Sequence, residues 1–306
     1  MHSDLGKSVV AVPPLARNDD LSLNVKANAA LIRHLEVGGV STLMYGGNAN
    51  FYHVAPSDYA EVLDMLLALA SPASWIIPSA GPDFGKLKDQ AKILRERPFP
   101  TAMVLPSSGM STDAGTADGI ARFADSYGRP VILYLKSETT LSVASVARLF
   151  DRGIVSAVKY AIVRDDPRQD PYLTELVSQV NRSRIISGIG ERPAILHWRH
   201  FGLRAFTSGS VSIAPRLSSA LLEALKKSAY DEAERLREAF LPFENERDEI
   251  NPTRVLHDGV TLSGIADMGP ILPLLSNLTE AERQRVAPVA RQLHAMDAAM
   301  AKGEAA

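Results

Sequence analysis

Eight short apolar runs, separated by amphipathic stretches, are the feature that most constrains how this 306-residue chain folds. Several of the runs are nearly continuously apolar, which is typical of strands buried on both faces of a parallel sheet. The stretches between them, such as residues 55–70 and 142–153, have helical periodicity. This alternation predicts parallel strands joined by crossover helices. The runs are residues 8–15, 41–47, 75–81, 101–107, 130–136, 154–162, 183–190 and 204–211.

Two α/β folds are built from such units, a closed (β/α)8 TIM barrel and a doubly wound open sheet. The nucleotide-binding form of the open sheet has a G-x-G fingerprint after its first strand, whereas this chain reads AVPPLARNDD over residues 11–20. We therefore predict a TIM barrel over residues 1–225. Residues 226–306 have helical patterns without strand patterns. They predict a C-terminal helical extension packed on the barrel.

Lys159 is a charged residue inside the sixth apolar run, IVSAVKYAI. Burial of an ammonium group without a partner is costly, so the side chain either reaches a carboxylate or the rim, or it serves chemistry. Apolar surroundings lower the pKa of an amine, and the free amine attacks carbonyl groups to form a Schiff base. Tyr134 stands near the end of the preceding strand, where a phenol either transfers protons or forms part of the rim. Active sites of TIM barrels lie at these strand ends.

Composition and charge exclude several classes of function. The absence of cysteine excludes disulfides, thiolate metal sites and a cysteine nucleophile. The formal net charge of −2, with basic residues spread along the chain, does not indicate a nucleic-acid partner. His197 and His200 are three residues apart, but further ligands at a suitable spacing are missing, so we predict no metal site. The start does not resemble a signal peptide and no run is long enough to cross a membrane, so we expect a cytoplasmic protein.

The order of four segments resembles the dihydrodipicolinate synthase and N-acetylneuraminate lyase family. YGGNAN (45–50) stands where the family has G-T-T-G-E, and PVILYLK (130–136) looks like the family's strand with a catalytic tyrosine. GIVSAVKYAIVRDD (153–166) is similar to the strand that has the Schiff-base lysine, and RIISG (184–188) matches the L-S-G strand that follows. The resemblance extends from about residue 7 to about residue 270 and describes a divergent member.

The resemblance implies a lyase with a class I mechanism, either an aldolase or a dehydratase, that acts on pyruvate, another 2-oxo acid or a sugar acid. Lys159 would form an imine with the ketone, Tyr134 would transfer protons, and neither a cofactor nor a metal is required. The family's assembly implies a homo-oligomer, a dimer or a tetramer. Substrate contacts are implied for Gly46, Gly47 and Asn48, whose N–H groups would bind the carboxylate, for Gly188 on the rim of strand seven, and for Thr207 on strand eight.

Three segments depart from the family pattern. GGNAN (46–50) lacks both threonines and the glutamate of G-T-T-G-E, and an asparagine amide has no hydroxyl to relay a proton. The P-Y-Y aromatic pair is replaced by Pro106-Ser107-Ser108, and Ser137-Glu138-Thr139 replaces the synthases' substrate-binding arginine. These changes argue against dihydrodipicolinate synthase itself. They leave another 2-oxo-acid aldolase or a sugar-acid dehydratase, with a catalytically impaired barrel that binds a small carboxylic acid as the alternative.

Overall fold

The computed structural model describes residues 4–107 and 109–301. Eight parallel strands in the order β7-β6-β5-β4-β3-β2-β1-β8 form a nearly closed barrel with surrounding helices, so the predicted α/β (β/α)8 TIM barrel is confirmed. Each predicted run contains one strand, and the strands are shorter than the runs because only their central residues pair. The strands are β1 (Val10–Ala11), β2 (Thr42–Tyr45), β3 (Trp75–Ala80), β4 (Met103–Val104), β5 (Val131–Leu135), β6 (Val155–Tyr160), β7 (Ile185–Ser187) and β8 (Thr207–Ser208).

A helix follows every strand, and four more helices follow the last of these. The first eight are α1 (Val25–Val37), α2 (Tyr59–Leu69), α3 (Phe84–Arg95), α4 (Asp113–Tyr127), α5 (Val143–Asp151), α6 (Pro171–Gln179), α7 (Ala194–Leu196) and α8 (Pro215–Lys226). The C-terminal four are α9 (Tyr230–Glu238), α10 (Leu241–Glu249), α11 (Pro252–Leu262) and α12 (Glu280–Ala301). None of the described helices combines the length and the apolar composition that a bilayer crossing requires.

Contacts group the chain into two compact units. Among the described residues, the first unit contains residues 4–6, 55–60 and 77–207, and the second contains residues 7–54, 61–76 and 208–301. The predicted division of the chain into a barrel over residues 1–225 and a helical extension over residues 226–306 stays a prediction. Residues 1–3 of the first segment and 302–306 of the second lie outside the described residues.

Within the second unit, a buried carboxylate joins the last helix to α8. Asp297 of α12 has no exposed surface, and its Oδ1 accepts hydrogen bonds from the backbone N–H groups of Arg216 (2.6 Å) and Leu217 (3.0 Å). Its Oδ2 accepts a third from Arg216 Nη1 at 2.9 Å. The N–H groups of a first helical turn have no intrahelical partner, and a carboxylate is favoured there by the helix dipole. Asp297 therefore caps α8 from the C-terminal helix.

Candidate active site

Lys159 and Tyr134, the two predicted catalytic residues, face each other on adjacent strands of the first unit. Parallel pairing of β5 with β6 sets Tyr134 directly opposite Lys159, so both side chains leave the sheet on the same face. Lys159 Nζ lies 4.2 Å from the centroid of the Tyr134 ring, within the distance of a cation–π contact. The structure therefore brings this predicted pair together.

A β-bulge in β6 sets this pairing. Val131 pairs with Val155, but the next residue of β5, Ile132, pairs with Ala157, so Ser156 is the extra residue. The Ser156 hydroxyl donates a hydrogen bond to the Val131 carbonyl at 3.2 Å. Without the extra residue, every later side chain of β6 would exchange faces, and Val158 would stand opposite Tyr134 in place of Lys159. The sequence did not predict this bulge.

The residue after the lysine marks the opposite face of β6. The Tyr160 hydroxyl donates to Asp170 Oδ2 at 2.5 Å, at the start of α6, and its ring stacks on Tyr172 of that helix with the centroids 6.1 Å apart. Because neighbouring side chains in a strand point to opposite faces, Tyr160 packs in the helix layer while Lys159 faces the barrel interior. Only about 5% of Lys159 is exposed.

Tyr134 is half-buried and keeps its proton at neutral pH. Burial raises the pKa of its phenol to about 12, because removal from water disfavours the phenolate. A neutral phenol both donates and accepts a hydrogen bond. Tyr134 is therefore suited to relay a proton beside Lys159 rather than to act as a phenolate.

Gly188 directly follows β7 and lies close to the last residue of β6. Its N–H donates to the Tyr160 carbonyl at 2.6 Å, and a Cβ added at residue 188 would lie 2.6 Å from that oxygen. Packing alone therefore accounts for a glycine at this position. Thr207 is buried at the start of β8 in the same unit. Contact of either residue with a substrate stays a prediction.

The two histidines that the sequence places three residues apart have different environments. His197 is buried, and its Nδ1 lies 2.8 Å from the Ser187 hydroxyl, whereas His200 is exposed. Burial lowers the pKa of His197 to about 4, so its ring is neutral at pH 7. Over residues 4–107 and 109–301, no group of three or more histidine, aspartate or glutamate side chains is arranged to hold a metal ion.

The GGNAN segment belongs to the second unit, in which it forms a short turn after β2. Gly46 precedes a 3-10 turn over Gly47–Ala49, and Asn48 Nδ2 donates to the Val12 carbonyl at 2.8 Å. Asn50, where the family has glutamate, is buried and has a left-handed backbone with φ of 55°. Asparagine adopts this conformation more readily than most residues. The role of this segment in binding a carboxylate stays a prediction.

A cavity of about 910 Å³ opens in the first unit at the carboxyl ends of β3, β4 and β5, beside α3 and α4. Tyr134 lines it, together with Pro106 and Ser107 from the segment that replaces the family's aromatic pair. Ser108, the third residue of that segment, lies outside the described residues. The cavity therefore reaches one of the two predicted catalytic side chains. The sequence did not predict this cavity.

Known proteins share this fold over nearly the whole chain. Dihydrodipicolinate synthase from Oceanobacillus iheyensis has a TM-score of 0.85 at 20% identity, over 96% of this chain and 98% of that chain. YagE, a prophage protein of the dihydrodipicolinic acid synthase family from E. coli K12 solved in complex with pyruvate, has a TM-score of 0.82 at 19% identity, over 94% of this chain and 98% of that chain.

A curated relative is a probable 5-dehydro-4-deoxyglucarate dehydratase of Acinetobacter baumannii strain AB307-0294. It is 23% identical over 273 residues, which are 86% of this chain and 88% of the relative. No family model matches the chain. The solved structures show the fold. Together with the curated relative they support the resemblance found in the sequence, to the dihydrodipicolinate synthase family, from which this chain has diverged.

Proposed function

We infer that this chain is a divergent member of the dihydrodipicolinate synthase family, and we propose that it is a lyase that forms an imine between Lys159 and a 2-oxo acid. The observation that carries the proposal is the pair itself. A buried lysine stands in register with a tyrosine on the next parallel strand, with Nζ 4.2 Å from the ring centroid. The fold shared with YagE, which was solved with pyruvate, supports the same substrate class.

In the proposed reaction, the neutral amine of Lys159 adds to the ketone carbon, and the ketone oxygen leaves as water. The imine then accepts an electron pair from the neighbouring carbon. In aldol cleavage this pair comes from the carbon–carbon bond that breaks, and in dehydration it comes from the carbon–hydrogen bond that loses its proton before water leaves. The Tyr134 hydroxyl, protonated at neutral pH, donates and accepts the proton that these steps move. Aldol cleavage and dehydration both proceed from this imine, and the relative named as a dehydratase gives some weight to the second.

Binding of the substrate carboxylate is proposed for the residues that the resemblance assigns. Gly46, Gly47 and Asn48 would present backbone N–H groups, since residues without bulky side chains allow close approach. Gly188 and Thr207 would contribute backbone groups at the ends of β7 and β8. Homo-oligomerisation and a cytoplasmic location are expected from the resemblance and the sequence, and light scattering would measure the oligomeric state directly.

Borohydride trapping tests the proposal. The protein is incubated with pyruvate, reduced, and its intact mass measured. We expect one adduct per chain that maps to Lys159 and is absent from Lys159→Ala. Lys226→Ala is the control, because Lys226 lies on the outer helix α8 in an ion pair with Glu223, and this variant should keep the adduct. An equal adduct in Lys159→Ala would refute the mechanism.

A second candidate is a barrel of the same family that binds a small carboxylic acid without forming the imine. The GGNAN segment favours it, because the family's proton-relaying threonine is replaced by Asn48, whose amide is engaged with the Val12 carbonyl. The same experiment separates the two candidates. Thermal stabilisation by 2-oxo acids, with no adduct on the folded protein, would support the binding protein and exclude the lyase.

A further inference from the structure

The cavity beside Tyr134 is larger than a three-carbon acid requires. Its volume of about 910 Å³ falls at the upper end of the roughly 300–1,000 Å³ typical of pockets for drug-sized ligands. Tyr134 both lines this cavity and contacts Lys159 Nζ through its ring. A ketone held at Lys159 would therefore lie one side chain away from the cavity, and the rest of a longer substrate would have room to occupy it.

The wall of the cavity is more apolar than polar. Leu133, Leu135 and Leu141 are buried on its β5 side, and Ile120 of α4 is buried opposite. Phe84 lies at the start of α3 with about 52% of its surface exposed. A large exposed ring beside an apolar cavity is a surface that a ligand would cover. Besides Tyr134, the neutral polar residues of the lining are Ser107, Ser111, Thr112, Thr116 and Thr140.

Charged side chains contribute little to this wall. Among the described lining residues the charged ones are Asp83, Asp118 and Arg122. Arg122 Nε is paired with Asp118 Oδ2 at 2.7 Å, and both side chains are more than 60% exposed. Arg122, the one cation among the described lining residues, is therefore in solvent and paired with an acid. A second substrate carboxylate inside the cavity would lose water without gaining a buried positive partner.

We propose that the cavity receives the part of the substrate beyond its 2-oxo acid group, and that this part is uncharged and mainly apolar, an aromatic or branched aliphatic substituent. The inference rests on the proposed function, because Lys159 must hold the ketone. It distinguishes this chain from the Acinetobacter relative, whose name refers to a glucarate derivative, a compound with a carboxylate at each end.

The test compares two 2-oxo acids that differ at the far end, 4-phenyl-2-oxobutanoate and 2-oxoglutarate, with pyruvate as the short reference. The concentration that gives half-maximal borohydride trapping at Lys159 is measured for each acid. This reading does not depend on whether the imine later leads to aldol cleavage or dehydration. In the wild type we expect the concentration of 4-phenyl-2-oxobutanoate that gives half-maximal trapping to be at least about tenfold lower than that of 2-oxoglutarate. Apolar pockets discriminate between ligands by factors of this size.

Thr116→Arg changes the cavity, and Thr174→Arg is its matched control. Both threonines are the fourth residue of their helices, α4 and α6, but only Thr116 lines the cavity. Thr116→Arg should remove most of the preference for the phenyl acid, because it adds a cation beside the bound chain, and it should leave pyruvate trapping unchanged. Thr174→Arg should keep the wild-type preference. Phe84→Ala, at an exposed position, should weaken trapping of the phenyl acid several-fold without affecting pyruvate.

The outcomes are separable. If the wild type traps pyruvate but shows no preference for the phenyl acid, or if neither Thr116→Arg nor Phe84→Ala changes that preference, the inference is wrong and the proposed lyase stands. If folded wild-type protein traps no 2-oxo acid, the proposed function is wrong and the inference about its substrate falls with it.

Discussion

Replacement of buried His197 by glutamine should remove a pH-dependent part of the stability of this protein. Burial lowers the pKa of His197 to about 4, against about 6.5 for an unperturbed histidine. As the pH falls, the unfolded chain therefore takes up this proton first, and stability decreases from about pH 6.5 towards the folded-state pKa. At about 1.4 kcal/mol per pKa unit, the full effect is about 3 kcal/mol. About 2 kcal/mol of it is lost between about pH 7.5 and about pH 5.

The measurement is urea unfolding of the wild type and His197→Gln at these two pH values. Glutamine retains a polar group for the Ser187 hydroxyl, which lies 2.8 Å from His197 Nδ1, but it does not titrate. Between these two pH values, the free energy of unfolding of the wild type should fall by about 2 kcal/mol more than that of His197→Gln. His200→Gln is the control, because the exposed His200 side chain stays in water on folding, and this variant should follow the wild type. Equal losses in wild type and His197→Gln would refute the reasoning.

Three further predictions concern the lysine strand and its neighbours. Tyr134→Phe should still trap pyruvate at Lys159 but turn over about 10²–10⁴-fold more slowly, because the proton relay is lost, as single-turnover kinetics would show. Gly188→Ala should destabilise the protein by about 1–3 kcal/mol in urea unfolding, because the added Cβ would overlap the Tyr160 carbonyl; an unchanged midpoint would contradict this. Ser156→Ala should lower the free energy of unfolding by about 0.5–1.5 kcal/mol, because the hydrogen bond to the Val131 carbonyl is lost. Equal stability of this variant and the wild type would show that the bulge does not need this hydrogen bond.

The TIM barrel and the closeness of Lys159 to Tyr134 were predictable from the sequence, but the register that sets the two residues opposite each other was not. The run IVSAVKYAI is apolar on both faces, so it has no alternation to show which residues point into the barrel. The bulge at Ser156 decides this, because one extra residue exchanges the faces of β6. A serine within such a run is the only signal of the bulge in the sequence, and serine is common in strands that have none. The cavity was not predictable because residues from four separate segments enclose it.

Local structure accounts for the two asparagines of the GGNAN segment. Asn50 has φ of 55°, a conformation that asparagine tolerates and that a longer side chain would strain, so its replacement of glutamate suits the backbone of this turn. The Asn48 amide donates to the Val12 carbonyl and so anchors the turn to β1. The carboxylate contacts proposed for this segment are backbone N–H groups, which every one of its residues has whatever its side chain. The change removes a hydroxyl, so it bears on how protons would reach Tyr134 in the proposed reaction, while the lysine proposed to form the imine is present in this chain.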